Sequence, residues 1–560
     1  MIELKGNMNV SDAITITLEQ LGIKYVFIQP GSQILPLVKS IGEKSELKHI
    51  GIISEADGAV MADTIGRLTR NPAVLLTTAG PGATNAISGI AQAYSANSPL
   101  IHISATLPPN APKDAFHGLD DPRFLEKIFS NVTKASFLID NAKEVPRALV
   151  NAYLTSISGY MGPVHVGIID KILNEKFDYD DKIQVQRNSI MYRSYGFSIE
   201  EIFRKIINSR NIVIYAGKNV IRSSADEEVI ELAQLLDALV VVPRHYPDAY
   251  PNDRKEYLGS IGEFSHPAAL FALKHANLVI SIGIKFDSLE DRNLKKYYNG
   301  EIIYMDIERD GAVNGVFGDI KHALKDLIEE LKSNKKGKDE ESELFNLTLK
   351  IKEEVDRKVN EQLNMRKFNN ALNPGIVIKL LNESIKGDAI ITGDAGLVGG
   401  AWLNDVFKFK KSGMFLHPRN YDGMGFAIPS AIAASLVYND RPIIAVTGDG
   451  SFMISLAEIP LCKRLSLSPK FFVFNDSKLG MIWQEQKSRG DPIIATEFPY
   501  VDISYIGKAL GIKSVKLDSY DNLREVLHDI IYANEPVLVE IISDPTIPPP
   551  SRTVWKEMGG

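Results

Sequence analysis

A single cysteine, Cys462, excludes an intrachain disulfide and any cysteine-built metal cluster. It lies in an apolar helical stretch, where a thiol packs as a small buried hydrophobe. The chain also lacks an excess of positive charge. Its formal net charge is −7 and no basic run is visible, which argues against nucleic acid as the main ligand. Long apolar runs are missing too. None approaches the roughly 18 residues that span a bilayer, so no membrane partner is expected. Polar residues interrupt each apolar run of the opening MIELKGNMNVSDAITITLEQLG, which does not fit a signal peptide. The expected location is the cytoplasm.

What is present is length, 560 residues, and ordinary globular composition, 44% apolar and 24% charged. That is too much chain for one core, and three domains are expected. Short β-rich apolar runs alternate with amphipathic segments, the pattern of mostly parallel sheets flanked by helices, an α/β class. The first domain is expected over 1–175, with strands YVFI (25–28), AVLLTT (73–78), PLIHIS (99–104) and PVHVGI (163–168). A polar segment, 171–194, reads as an irregular linker. The second domain, 195–335, has NIVIYAG (211–217), ALVVVP (238–243), LVISIG (278–283) and EIIYMDI (301–307). The run SNKKGKDEES (333–342) reads as a solvated linker. The third domain, 370–560, has DAIITGD (388–394), RPIIAVTGDG (441–450) and KFFVFND (470–476), and its proline-rich SDPTIPPPSR (543–552) is expected to be an extended arm.

The first and third domains each carry a Gly-rich turn directly after a strand, where open α/β sheets bind ligands. In the third, a strand ends at Thr447 and Gly448-Asp449-Gly450 turns into a helix beginning near Ser451. Glycines there let backbone approach a phosphate, and Asp449 offers a hard oxygen. The next strand delivers Asn475-Asp476 at its own carboxyl end. Two carboxylates, a carbonyl, two phosphate oxygens and a water would complete an octahedral magnesium shell. In the first domain, Glu55 opens a helix whose face is small at Ala56, Ala59, Ala62 and Gly66, followed by the loop Ala79-Gly80-Pro81-Gly82-Ala83-Thr84-Asn85. Burial at such a helix start disfavours a charged carboxyl, which suits proton exchange with a weakly basic ring nitrogen. Taken alone, Glu55 reads better as an ordinary N-terminal acid stabilised by the helix dipole.

The paired motif around Asp449 and Asp476, together with the 79–85 loop, resembles the thiamine-diphosphate enzymes, and the resemblance over the whole chain points to the acetolactate synthase and pyruvate oxidase group. It implies that Glu55 contacts N1′ of the cofactor's aminopyrimidine and so activates C2. It implies magnesium held by Asp449, Asp476 and the carbonyl of Lys478, although Asp476 stands where the family usually has asparagine. Met424, in YDGMGFAIPSAIAAS, occupies the position of the wedge that bends the cofactor. Further cofactor contacts are implied for Gly31, Pro81, Asn85, Gly396, Gly448, Gly450, Ser451 and Met481. Because the family draws Glu55 and the diphosphate site from different subunits, a homodimer or a dimer of dimers is implied.

The segment 257–293 resembles the flavin-associated domain of acetolactate synthases, which leaves flavin adenine dinucleotide open, since many relatives keep the domain without it. Other departures concern substrate handling. His117 stands in place of a glutamine, Lys285 of an arginine, Glu485 of a tryptophan and Leu397-Val398 of a Gln-His pair. His117 reads either as an acid–base group or as a loop histidine with a structural hydrogen bond; His417 is a weaker candidate of the same kind. The expected activity is 2-oxo acid decarboxylation with carboligation on a small-molecule substrate. The alternatives are a pyruvate oxidase-like flavoenzyme, a 2-hydroxyacyl-CoA lyase and a non-catalytic paralogue. A nicotinamide dehydrogenase is disfavoured for want of a convincing Gly-x-Gly-x-x-Gly.

Overall fold

The computed structural model describes residues 1–186, 192–311, 313–334, 343–364 and 371–560. Most of the charged run read as a linker, 335–342, falls outside the described residues.

Among the described residues, three large sheets and a two-stranded ribbon organise the chain. β1 (Ile2–Asn9) precedes the first, which is built from β2 (Tyr25–Ile28), β3 (Lys48–Gly51), β4 (Ala73–Thr77), β5 (Leu100–Thr106), β6 (Ala135–Ile139) and β7 (Pro163–Ile169). The order is β3-β2-β4-β5-β7-β6, parallel throughout. After β8 (Lys176–Ile183), the central sheet takes β9 (Arg193–Tyr195), β10 (Ile212–Ala216), β11 (Leu239–Pro243), β12 (Tyr257–Ile261), β13 (Leu278–Ile282), β14 (Glu301–Asp306) and β15 (Gly315–Phe317). Its order is β12-β11-β10-β13-β14-β15-β9, with only β9 antiparallel. The last sheet uses β16 (Ile390–Gly393), β17 (Phe415–Leu416), β18 (Ile443–Gly448), β19 (Lys470–Asn475), β20 (Lys513–Leu517) and β21 (Val537–Ile542), all parallel, in the order β17-β16-β18-β19-β21-β20.

Every apolar run assigned to a strand from the sequence forms one, because near-continuous Val/Ile/Leu stretches suit parallel strands covered on both faces. The segment 171–194 is not simply irregular. Its residues Lys176–Ile183 form β8, which pairs antiparallel with β1 over the full eight residues and carries the N-terminal unit past Glu175. A 22-residue helix, Glu343–Asn364, precedes the third sheet and packs on the helix Pro267–His275.

The first and third units share one core. The helix Glu55–Thr69 packs on Ala427–Val437, with Ala59, Ala62, Ala431 and Ala434 fully buried and Thr64 bonded to Ser430 at 2.9 Å. Within the first unit, Gly66 lets the same helix lie against Pro99, whose carbonyl oxygen a Cβ would approach to 2.2 Å. Cys462 lies in this core, its thiol pushed up to about 12 by burial, so it is inert at neutral pH. No described helix is long and apolar enough to cross a membrane.

Candidate functional site

The carboxyl end of the third sheet opens into a cleft of about 260 Å³. Gly396, Met424, Gly448, Asp449, Gly450, Ser451, Asp476, Lys478 and Met481, all singled out from the sequence, line it, as do Leu397 and Val398. The turn after β18 is shaped by its own carboxylate. Asp449 accepts from Gly450 N at 2.8 Å and from Ser477 N at 2.7 Å, which ties the β18 and β19 turns together. Burial pushes Asp449 up to about 6; burial, then the charge of Asp449, pushes Asp476 up to about 8. Two buried carboxylates, one raised by the charge of the other, are a pair that a divalent cation would relieve. No third acidic or imidazole side chain joins them among the described residues, so the rest of such a shell would come from a carbonyl, phosphate and water.

The glycines leave room beside this pair. A Cβ on Gly448 would meet nothing within 4 Å, so that side faces open cleft, whereas one on Gly450 would come 3.5 Å from Met424 Cε. The Met424 thioether therefore overhangs the Asp449 turn while the residue stays 43% exposed. The loop carrying it is held from below by Asp394, which sequence reasoning passed over. Its buried carboxylate accepts from Ala395 N and Gly425 N at 2.9 Å, Ala427 N at 3.1 Å and Thr447 Oγ1 at 3.2 Å. A signal was available: Thr392-Gly393-Asp394 repeats Thr447-Gly448-Asp449 at the end of a neighbouring strand. Asp422, also unflagged, lines the same cleft, and burial with the Asp394 charge pushes it up to about 6.

The N-terminal candidates gather separately. Glu55 starts its helix behind the cap Ser54, whose side chain accepts from Asp57 N. It is 9% exposed and accepts from Asn85 Nδ2 at 3.2 Å. The turn at Gly80, with φ +63, presses on the next loop, since a Cβ there would be 2.6 Å from the His117 carbonyl oxygen. Gly31 is equally confined, 2.6 Å from Thr78 Cβ by the same measure. Gln33, missed from sequence, organises the group: its Oε1 accepts from Thr78 Oγ1 at 2.9 Å and Ala79 N at 3.2 Å and lies 3.2 Å from His117 Nδ1. Gly31, Glu55, Pro81, Asn85 and His117 thus form one constellation, but the cleft at Asp449 is lined by residues of the third domain alone.

The positions that depart from the family pattern scatter. Lys285 stands 3.7 Å from Asp310 with its ammonium over the Tyr160 ring, and Glu485 lies 3.4 Å from Arg552. His417 is corrected to a structural role. It is buried and held well below the usual histidine range by burial and by Arg419, and its Nδ1 accepts from Arg419 N at 3.0 Å. At the carboxyl end of the central sheet, Tyr160 OH and Asn219 Nδ2 donate to the two oxygens of the buried Asp306, at 2.6 and 2.8 Å. A Cβ on Gly217 would clash with Ile284 at 2.1 Å, and one on Gly283 with Val220 N at 2.5 Å. These turns close on each other, and both oxygens of Asp306 are engaged within the protein.

Comparison with known proteins agrees with this division. Residues 8–121 match the N-terminal TPP binding domain of thiamine pyrophosphate enzymes, 199–327 their central domain and 394–541 their C-terminal TPP binding domain. The chain is 28% identical to a probable acetolactate synthase large subunit of Methanocaldococcus jannaschii, over 97% of this chain and 94% of that protein. It is 25% identical to the acetolactate synthase large subunit of Haemophilus influenzae, over 95% and 94%. Against the chloroplastic acetolactate synthase of Arabidopsis thaliana it is 25% identical, over 95% and 81%.

Proposed function

Since the chain belongs to the thiamine pyrophosphate enzyme family, we propose that it is a carboligase resembling acetolactate synthase, acting on a 2-oxo acid with thiamine diphosphate and magnesium. The observation that carries this reading is the cleft in which Asp449 and Asp476 face an open glycine turn beneath Met424. When bound, the cofactor supplies a nucleophilic carbon and an electron sink for cleaving and forming the bond beside a carbonyl. The chain's own residues do the rest. Asp449, Asp476 and the Lys478 carbonyl hold the metal, and the Gly448–Ser451 turn takes the diphosphate. Met424, overhanging that turn, would be the wedge against which the cofactor rests. Glu55, kept in place by Asn85, would exchange a proton with the aminopyrimidine ring, and His117, anchored by Gln33, would be a further acid–base group.

The two half-sites meet between two copies of the chain. Exposed apolar side chains support this: Ile53, Phe116 and Leu119 flank the Glu55 group, and Tyr421, Met453, Ile454 and Ile482 flank the cleft. A homodimer, alone or doubled, covers both. Flavin is not part of this reading.

The test is hydrogen–deuterium exchange at C2 of thiamine diphosphate bound to Glu55→Gln. Glutamine keeps size and hydrogen bonding but cannot pass the proton. The cofactor should still bind, and exchange should slow by about 10²–10⁴-fold. Wild-type exchange in the variant would remove Glu55 from this role.

A further inference from the structure

We propose that Arg552 is the carboxylate-recognising residue of the substrate channel, set at the rim of the cleft by the proline-rich C-terminal arm. This rests on the function proposed above, whose donor is a 2-oxo acid.

The arm is fastened on both sides of Arg552. Gln484 Nε2 donates to the carbonyls of Pro545 and Ile547 at 2.9 and 3.1 Å, and Gln362 Nε2 to that of Pro548 at 2.9 Å. Ser551 N donates to Asp405 at 2.8 Å, while Thr553 Oγ1 donates to Gln362 Oε1 at 2.8 Å. Prolines at 548–550 remove backbone freedom and donors. The arginine between these anchors therefore loses little entropy on binding an anion.

Its guanidinium is poorly satisfied by the protein. Nη2 reaches Met481 Sδ at 2.6 Å, a weak acceptor, and Glu485 Oε1 only at 3.4 Å. Met481 and Glu485 are four residues apart on the helix Gly480–Arg489 and so share the face turned to the arm. Glu485 is further divided, since Arg489 stands 3.8 Å away. No other protein acceptor is in hydrogen-bond reach of Arg552 among the described residues, and its side chain is only 15% exposed. Arginine presents paired donors that match a carboxylate.

Within the cleft, the lining offers nothing equivalent. Its carboxylates are Asp422, Asp449 and Asp476, and its single cation, Lys478, is tied to Glu497 at 2.8 Å. Glu497 is fixed in turn by Trp483 Nε1 at 2.9 Å. An anionic substrate passing over Met481 and the exposed Ile482 meets Arg552 as the available cation.

The experiment uses full-length protein loaded with thiamine diphosphate and magnesium. It reads the concentration at which half the bound cofactor carries substrate after acid quench. Matched probes differ only in the carboxylate: pyruvate with acetaldehyde, 2-oxobutyrate with propanal, and phenylglyoxylate with benzaldehyde. In Arg552→Met the half-loading concentration of the oxo acids should rise about 10- to 100-fold, as for a lost charged hydrogen-bond pair, while the aldehydes stay unchanged. Arg552→Lys should fall between. Equal shifts for acids and aldehydes, or none for either, would overturn the assignment, as would a wild-type protein that exchanges C2 normally yet loads none of the oxo acids. Failure of C2 exchange in wild type would instead sink the underlying function.

Discussion

The first and third domains are two copies of one topology with different chemistry in their loops. Counted along the chain, the strands of each run second-first-third-fourth-sixth-fifth across the sheet. Corresponding strand ends can therefore be compared directly. After the first strand stand Gly31 and Gln33 in one domain and Asp394 and Gly396 in the other. After the second come Glu55 and Met424; after the third, the Ala79–Asn85 loop and the Asp449 turn; after the fourth, His117 and Asp476. One domain places a single carboxyl among neutral hydrogen-bonding groups, whereas the other concentrates Asp394, Asp422, Asp449 and Asp476. The shared sheet supplies positions and the loops supply chemistry. The acid-rich copy suits a metal and a diphosphate, and the neutral copy suits a ring that exchanges one proton.

The sharpest separation of the two copies comes from deleting one carboxylate in each. Asp449→Ala should weaken magnesium-dependent retention of thiamine diphosphate by more than about 100-fold, because a direct metal ligand is lost and even supporting residues of such sites are worth 10–100-fold. Glu55→Gln should leave retention intact. Retention is measured as cofactor remaining after gel filtration in magnesium. Equal retention in the two variants would erase the division of labour.

A second comparison sets the loop anchors against each other. Asp394 and Gln33 follow the first strand of their sheets and each pins the turn after the third, through Thr447 in one case and through Thr78 and Ala79 in the other. Asp394 is ionisable and holds four donors; Gln33 is neutral. Asp394→Ala leaves buried donors around a vanished carboxylate and should destabilise by about 3–5 kcal/mol, Gln33→Ala by about 1–2 kcal/mol. Denaturant unfolding checks the order, and a larger loss at Gln33 would reverse the assignment of the stiffer scaffold.

Sequence exposed the comparison unevenly. Core strands such as YVFI and KFFVF are unbroken apolar runs and were legible as parallel strands. The edge strand β20, KSVKL, has buried and exposed positions mixed, and β17 is two residues long, so neither leaves a periodic signal. β8, KFDYDDKI, gains its conformation only from pairing with β1, more than 160 residues earlier by its register. Among site residues, the Gly-Asp-Gly turn and the 79–85 loop were readable because their glycines stand directly after strands, one leaving the cleft open at Gly448 and one taking a positive φ at Gly80. Gln33, Asp394 and Arg552 were not, because their importance lies in partners distant in sequence: Gln33 with His117, Asp394 with Gly425, Arg552 with Met481.

The smallest expected effect tests whether the acidity of the third domain reaches into the first. Asp57 lies two residues after Glu55, yet its neighbours include Glu458 and Asp394 of the other domain. Glu458 accepts from Ile53 N and Ser54 N at 2.8 Å, and one oxygen of Asp57 has no partner. Burial first, and then the Glu458 charge, push Asp57 up to about 8. An unfolded aspartate releases its proton near pH 4. Between those values the folded chain holds a proton that the unfolded chain has lost, so the stability that Asp57 contributes is full below about pH 4 and is lost as pH rises toward about 8. Asp57→Asn cannot ionise and should flatten that decline. The melting temperature of the variant should match wild type near pH 5 and exceed it by about 2–4 °C at pH 8, since each pH unit between costs the wild type about 1.4 kcal/mol and a chain of this length shifts by roughly 1 °C per kcal/mol. Parallel curves for the two proteins from pH 5 to 8 would mean that Asp57 is solvated in solution and that the acidic character of the third domain stops at the domain boundary.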